Sequence, residues 1–506
     1  MTDTEAPLAL VTGATGYIGG RLVPELLAAG YRVRAMARHP ERLSGREWRA
    51  DVEVVAADAS SAEDLARALE GVGVAYYLIH SLGSGPEFEA RDRRTARTFG
   101  TAARTAGVRR VVYLGGLHPD TDGLSPHLES RREVGDILLA AGVPTTVLQA
   151  AVIIGSGSAS FEMMRYLTER LPAMIAPKWL DNRIQPIAVR DVLRYLVGSA
   201  SMPDDVSRTF DIGGPDVLTY REMMQRYAAV AGLPARVIRT VPVLTPRLAS
   251  LWVGLVTPVP SGLARPLVES LIHEVVAKES DIDALVPPPP EGLLGFEQSV
   301  ELALQRVREF DVSTTWSSAG TANAPSDPLP EDPEWAGGSL YVDERESVVD
   351  AERRHLWSVI EGIGGANGWY SWRMGWAARG LMDRVFGGPG LRRGRRHPRR
   401  LAVGDALDWW RVEAIEEGRL LRLRAEMRLP GLAWLELVAE EDDAGRTVFR
   451  QRAVYHPQGF LGQLYWWAIA PFHGVVFGGM QRNVAAAAEA AARGGRAGAG
   501  AQPVTP

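Results

Sequence analysis

Residues 9–27, ALVTGATGYIGGRLVPELL, constrain this chain more than any other stretch. They read as a buried strand, a glycine-rich turn and an amphipathic helix. Gly13 suits the tight turn, Gly16 lets the backbone approach a pyrophosphate, and Gly19 lets the new helix pack against the strand. The helix N-terminus then offers unpaired N–H groups and a positive dipole end to phosphates. The spacing is G-x-x-G-x-x-G rather than G-x-G-x-x-G, but its place between strand and helix is what gives a glycine triplet meaning. The candidate dinucleotide contacts here are Thr12, Gly13, Thr15, Gly16, Tyr17, Ile18 and Gly19. The alternative is an ordinary strand–turn–helix.

At 506 residues the chain exceeds one hydrophobic core, so roughly two to four domains are expected. A net charge of −5 argues against a general nucleic-acid binder. Cysteine is absent, which removes disulfides, a thiolate nucleophile and Cys-ligated metal, and fits a reducing cytoplasm. The start MTDTEAPLAL has no basic region before an apolar run, so no signal peptide is expected. The nine His residues form no H-E-x-x-H and no i,i+4 pair, and no G-x-S-x-G elbow occurs. No metal site is expected. Lysine occurs only at Lys178 and Lys278.

From Leu8 to about Val152 short apolar runs alternate with helical segments, as in βαβ units. Strands are expected at 8–11, 31–37, 52–56, 74–79, 111–114 and 145–148, with helices at 16–29, 61–69, 86–106 and 128–141. This is a doubly wound, parallel Rossmann sheet with right-handed crossovers. From Ile153 to about Phe310 helices dominate, at 160–171, 189–199, 220–231, 244–255 and 295–309, and should cover the carboxyl edge of the sheet. Residues 1–310 are thus one dinucleotide-binding domain. Residues 311–338 are rich in Ser, Ala, Pro, Gly and acid and read as a linker.

A second unit spans 339–492, and a Gly/Ala-rich tail, expected to be disordered, runs over 493–506. A strand at 340–348 and a helix at 351–361 precede a Gly/Arg loop at 387–400. Strand alternation follows, clearest where Leu421, Leu423 and Ala425 interleave with Arg422, Arg424 and Glu426. A helix near 461–491 closes the unit. An α+β domain results, an antiparallel sheet gripping a helix with a cavity between them. Trp369, Tyr370, Trp372, Trp376, Trp409, Trp410, Tyr465 and Trp466 line that cavity or pack its core. The arginines of residues 392–400 bind anions or form a solvated loop. Residues 460–480 carry no charge, so a membrane span by length, or peripheral membrane contact, stands beside the terminal helix of a soluble domain.

The second strand ends Arg34-Ala35-Met36-Ala37-Arg38-His39, without the acid that binds a ribose 2′-OH in NAD enzymes. Arg38 is placed to meet a 2′-phosphate, favouring NADP over NAD; alternatively it stacks on adenine. Asp58, followed by Ala59, accepts from the adenine amino group or caps a helix. His80 and Ser81, ending the fourth strand, are placed on the nicotinamide side. Gly155–Ser158 reads as a flexible loop over the cofactor.

These features, with 76–81 (YYLIHS), 113–117 (YLGGL) and 211–220 (DIGGPDVLTY), resemble the atypical, extended branch of the short-chain dehydrogenase/reductase superfamily. That branch includes NmrA-like and complex-I-subunit-like proteins, and the resemblance covers about residues 8–310. Residues 387–396 (GGPGLRRGRR), 403–411 (VGDALDWWR) and 471–480 (PFHGVVFGGM) resemble a domain of unknown function fused to such reductases, which looks like a helix-grip domain of the START and birch-pollen-allergen superfamily. The resemblance implies a nicotinamide contact at Gln149, after the sixth strand; Gly115, ending the fifth, is a further candidate cofactor contact. The resemblance also implies a Tyr-x-x-x-Lys dyad on the helix after strand five, and here the sequence departs. Ser125-Pro126 makes a helix N-terminus, which puts His127 at the Tyr position and Arg131 at the Lys position, one turn apart on one face. His127 donates a proton or merely packs; Arg131 binds ribose hydroxyls or a phosphate. The strand end, Gly115-Gly116, offers no hydroxyl.

The function these residues point to is an NADP-dependent oxidoreductase acting on an apolar, quinone-like or isoprenoid-like substrate. The alternatives are a non-catalytic NADP-sensing or assembly protein, and a membrane-peripheral lipid binder with a structural dinucleotide. A cytoplasmic location is expected, with membrane association through 460–480 as the variant.

Overall fold

The computed structural model describes residues 6–44, 46–79, 86–121, 123–241, 249–250, 253, 256–259, 261–309, 340–364, 368–371, 400–427, 429–442 and 444–499. The chain divides into two compact units, Met1–Gly338 and Ser339–Pro506.

In the first unit, β1 (Leu8–Thr12), β2 (Arg32–Ala37), β3 (Glu53–Ala56), β4 (Val74–Tyr77), β5 (Arg110–Gly116) and β6 (Thr145–Ala150) form a parallel sheet. A seventh strand, β11 (Arg208–Ile212), joins β6, and the order is β11-β6-β5-β4-β1-β2-β3. The order reverses at β1, with β2 on one side and β4 on the other. That reversal opens a crevice at the carboxyl ends of the strands.

Period-two alternation divides each strand between two cores. Val11, Tyr76, Val112 and Leu148 pack under α1 (Tyr17–Ala28) and α6 (Val189–Ser199). Leu10, Tyr77, Tyr113 and Val147 face α2 (Ala62–Ala68), α3 (Pro86–Thr105) and α4 (Pro126–Leu139). Both faces are covered, so the central strands β1 and β4 and the middle of β5 read as nearly unbroken apolar runs. Each fully buried Leu or Val stabilises by roughly 1.5–3 kcal/mol. Gly30, at φ +85°, stops α1 at the expected place.

The region after β6 has the expected helices but keeps more strand than a reading in which helices dominate. Its helices α5 (Ala159–Arg170), α6, α7 (Tyr220–Val230) and α9 (Phe296–Glu309) fall where expected, α7 opening on a capping box of Thr219 and Glu222. Between them, however, run β7 (Ile153–Ile154), β8 (Ala173–Pro177), β9 (Arg183–Ile184), β10 (Ile187–Ala188), β12 (Leu218–Thr219) and β13 (Val237–Val241), paired two by two. Strands of two to five residues are too short to show a period. α8 (Ser261–Ser270) carries Pro266 inside it, which hid it from a reading by periodicity. The helix expected over 244–255 and the linker 311–338 lie largely or wholly outside the described residues.

The second unit is an antiparallel sheet ordered β14 (Tyr341–Val348), β19 (Thr447–Pro457), β18 (Gly431–Glu441), β17 (Leu420–Ala425), β16 (Trp410–Glu416), β15 (Ala406–Leu407). Leu421, Leu423, Leu435, Leu437 and Phe449 point to one face, which is covered by α10 (Arg353–Glu361) and α11 (Gly459–Ala499). Arg422, Glu436 and Arg452 stand in register on the other face. Trp369, Trp409 and Trp410 are buried in the core. Trp466 stacks between Tyr341 and Tyr455. Trp372, Trp376 and the arginines of 392–399 lie outside the described residues. α11 runs to Ala499, so the tail boundary expected at Arg493 falls inside a helix. No helix among the described residues is long and apolar enough to cross a membrane, which sets aside a span over 460–480.

Candidate functional site

The glycine loop is built by close approach. Gly13 sits at φ +69°, and a Cβ on it would lie 2.7 Å from the carbonyl oxygen of Leu78, just past the end of β4. A Cβ on Gly19 would lie 2.2 Å from the oxygen of Gly13, so helix and turn touch backbone to backbone. The N–H of Gly16 donates to that oxygen at 2.8 Å, closing the turn. Gly16 is the N-cap of α1 and brings no side-chain cap, so the first-turn N–H groups stay open to a ligand.

A cavity of about 940 Å³ opens over this loop, at the carboxyl edge of the sheet. Its lining brings together Gly13, Thr15, Gly16, Tyr17, Ile18, Gly19, Arg38, Asp58, Ala59, Gly115, His127 and Arg131 of the expected site. Two expected residues stand off the lining. Thr12 is buried, donating to the Tyr76 carbonyl at 2.8 Å and accepting from the Leu78 N–H at 3.0 Å, so it ties β1 to β4. The Gln149 amide lies 3.1 Å from Nε2 of His118, off the cavity wall. His80 and Ser81 lie outside the described residues.

Beyond β2, Arg38 is joined in the lining by Arg42 and Arg46, the latter packed against Gly20. Asp58 does not cap a helix; Ser61 caps α2. The Asp58 carboxylate instead accepts from the N–H of Ser60 at 2.8 Å and its hydroxyl at 2.7 Å. Those bonds, with Arg38 nearby, hold its pKa below the ordinary value. Among the described lining residues Asp58 is the one carboxylate, against Arg38, Arg42, Arg46, Arg91 and Arg131. The cavity is an anion trap.

On α4 the expected cap is present: the Ser125 hydroxyl accepts from the Leu128 N–H at 3.3 Å. His127 and Arg131 therefore face the cavity one turn apart. A Cβ on Gly116 would come within 3.2 Å of Leu128, so the bare strand end is what lets α4 approach β5. Burial, and secondarily Arg131, push the His127 imidazole down to about 3. The ring is neutral near pH 7. Tyr113 sits beneath the site, donating to the Arg131 carbonyl at 3.2 Å, with its phenol pushed up by burial.

The loop at Gly155–Ser158 borders the cavity and is tied to α1. Arg21 donates to the Ser156 carbonyl at 3.1 Å while its guanidinium lies over the Tyr17 ring. A Cβ on Gly155 would meet the Tyr17 hydroxyl at 2.4 Å. Sequence reasoning missed Arg42, Arg46, Arg91, Thr95, Leu263 and Leu267, all in the lining. The i,i+4 spacing of Arg91 with Thr95 and of Leu263 with Leu267 was a usable signal only once their helices were known to face one cavity.

Residues 13–153 match the family described as NAD(P)H-binding, and residues 335–480 match a protein family of unknown function, DUF2867. Among curated relatives, the ceramide reductase of Caulobacter vibrioides is 29% identical over 321 residues, covering 59% of this chain and 95% of the relative. The (4-alkanoyl-5-oxo-2,5-dihydrofuran-3-yl)methyl phosphate reductase of Streptomyces griseus is 29% identical over 228 residues, 45% of this chain and 75% of that one. The photosystem II assembly factor Ycf39 of Trieres chinensis is 23% identical over 250 residues, 48% and 75% of the two chains. A solved structure of the Citrobacter sp. triphenylmethane reductase with NADP(H) aligns at 20% identity and a TM-score of 0.47, covering 59% of this chain and all of that one. The chain therefore joins an N-terminal NAD(P)-binding Rossmann domain of the atypical short-chain dehydrogenase/reductase type to a separate C-terminal DUF2867 domain.

Proposed function

We propose that the chain is an NADP(H)-dependent oxidoreductase acting on an apolar acceptor, quinone-like or isoprenoid-like. The observation that carries this reading is the group Arg38, Arg42 and Arg46 in the cavity beyond β2, a strand without an acid at its end. A 2′-phosphate placed there meets cations, whereas an NAD ribose finds no carboxylate on β2 to accept its 2′-OH. NAD is the weaker-bound alternative.

The bound nicotinamide supplies hydride chemistry. The loop amides and the N-terminus of α1 hold the diphosphate, and Asp58, kept ionised, accepts from the adenine amino group. Gly115 and Gly116 leave the end of β5 open to a flat ring. Arg131 binds ribose hydroxyls. Neutral His127 offers a ring N–H to the acceptor oxygen, and the proton comes from water. Two relatives named as reductases, one for ceramide, support an oxidoreductase with an apolar acceptor. Following NADPH absorbance with a quinone, an enone and a long-chain aldehyde tests the reading: turnover with one of them is expected, and none with any contradicts it.

A non-catalytic NADP(H)-sensing or assembly protein is the second reading. It is favoured by His127, whose depressed pKa leaves no imidazolium acid beside the cofactor. It requires that NADPH bind without turnover and that His127→Ala leave that binding unchanged.

We also propose a cytoplasmic protein with peripheral membrane contact through α11. Phe460, Leu461, Leu464, Trp467, Phe472 and Val475 are all exposed within a stretch free of charge. Co-sedimentation with phosphatidylcholine/phosphatidylglycerol vesicles, lost in Leu461→Glu/Trp467→Glu, is the expected result; equal sedimentation of both proteins overturns it.

A further inference from the structure

Three neighbouring helices wall one side of the cavity, and cofactor binding leaves part of their chemistry unused. Arg91 and Thr95 stand one turn apart on α3 and line the cavity. His127 and Arg131 repeat the spacing on α4, which packs against α3. α8 packs on the other side of α4, with Ser125 and Ser270 hydroxyls 3.3 Å apart, and adds Leu263 and Leu267. Across the wall the chemistry passes from cationic to apolar.

Carboxylates are at hand on these helices, yet they serve other arginines. Glu133 pairs with Arg93 at 2.7 Å, and Glu129 pairs with Arg132. Arg91 and Arg131 have no carboxylate partner among the described residues. The phosphates of a dinucleotide are met elsewhere, by the loop amides and by the arginines beyond β2.

We propose that Arg91 holds an anionic headgroup of the substrate, a carboxylate or phosphate monoester, while an apolar chain runs past His127 along Leu263 and Leu267. The inference rests on the cofactor reading above and deepens it: the substrate is an anionic amphiphile whose reacting carbon lies between head and chain. Packed helix axes lie roughly 8–10 Å apart, so the axes of α3 and α8, with α4 packed on both, are at most roughly 16–20 Å apart. Arg91 is exposed, so its replacement spares the core.

The test is calorimetry on the full chain saturated with NADP+, titrated with decyl phosphate, decanoate and decanol. At least one anion is expected to bind roughly tenfold or more tightly than decanol, with the preference shrinking in high salt. Arg91→Gln should abolish that preference while leaving NADP+ affinity within about twofold. The two anions tell phosphate from carboxylate. Decanol binding as tightly as both anions, or a preference intact in Arg91→Gln, overturns the proposal and leaves the cofactor reading standing. A tenfold loss of NADP+ affinity in Arg91→Gln makes Arg91 a cofactor residue and overturns it too. Failure of the wild-type chain to bind NADP+ overturns the cofactor reading itself.

Discussion

The backbone N–H of Gly157 donates to Oε1 of Glu162 at 3.0 Å, so a wall of the nucleotide cavity hangs from a carboxylate with no solvent exposure. Arg165, equally buried, lies 3.8 Å from Glu162 and 3.2 Å from Glu169, and Glu169 accepts from the Tyr227 hydroxyl at 2.5 Å. Loop 155–158, α5 and α7 are thereby joined through one buried ionic cluster.

Removing one member of such a cluster strands the others. Glu162→Ala is expected to cost about 3–5 kcal/mol, because Arg165 loses a counter-charge and Gly157 loses its acceptor. Glu162→Gln keeps an oxygen for Gly157 and should cost less, about 1–3 kcal/mol. Denaturant unfolding of the three proteins checks the order; equal stability of Ala and Gln variants contradicts it.

His127 makes stability depend on pH in a definite direction. Its pKa falls from 6.5 to about 3 on folding, through burial first and Arg131 second. Between those values the unfolded chain binds the extra proton, so this contribution is complete above about pH 6.5 and drains away as pH falls toward 3. Wild type should therefore lose stability relative to His127→Gln between pH 7.5 and pH 5. A difference that stays constant across that range contradicts the burial.

In the second unit, Glu436 is buried between Arg422, at 2.7 Å, and Arg452, at 3.6 Å. Glu436→Ala leaves two cations facing each other and is expected to cost about 3–5 kcal/mol. Pairing it with Arg422→Leu should recover part of that loss. A double mutant no more stable than the single one contradicts the ladder.

Much of this architecture was legible because local chemistry and fold agree. Gly13 and Gly19 announce backbone contacts no other residue allows, and Ser125-Pro126 announces the helix that carries His127 and Arg131. The second unit's strands were legible through alternation such as Leu421, Arg422, Leu423. Other parts were not. Arg208–Ile212 gave no sign of joining the main sheet, because pairing with β6 is decided by residues more than fifty positions away. Arg42, Arg91 and Leu263 carry no motif; only the packing of their elements around one cavity brings them together. Gln149 sits near the end of the sixth strand, and the direction of its side chain, toward His118, is set by packing that the sequence does not show.

The central claim is that the opening loop cradles a dinucleotide diphosphate and that Arg38 meets a further phosphate beyond it. Calorimetry with NADPH and NADH, on the wild-type chain and on Arg38→Ala, tests both halves at once. NADPH should bind wild type roughly tenfold or more tightly than NADH, and Arg38→Ala should erase most of that margin, as loss of a charged hydrogen bond of about 1.5–3 kcal/mol requires. Equal affinity for the two coenzymes, or no heat from either, contradicts the account.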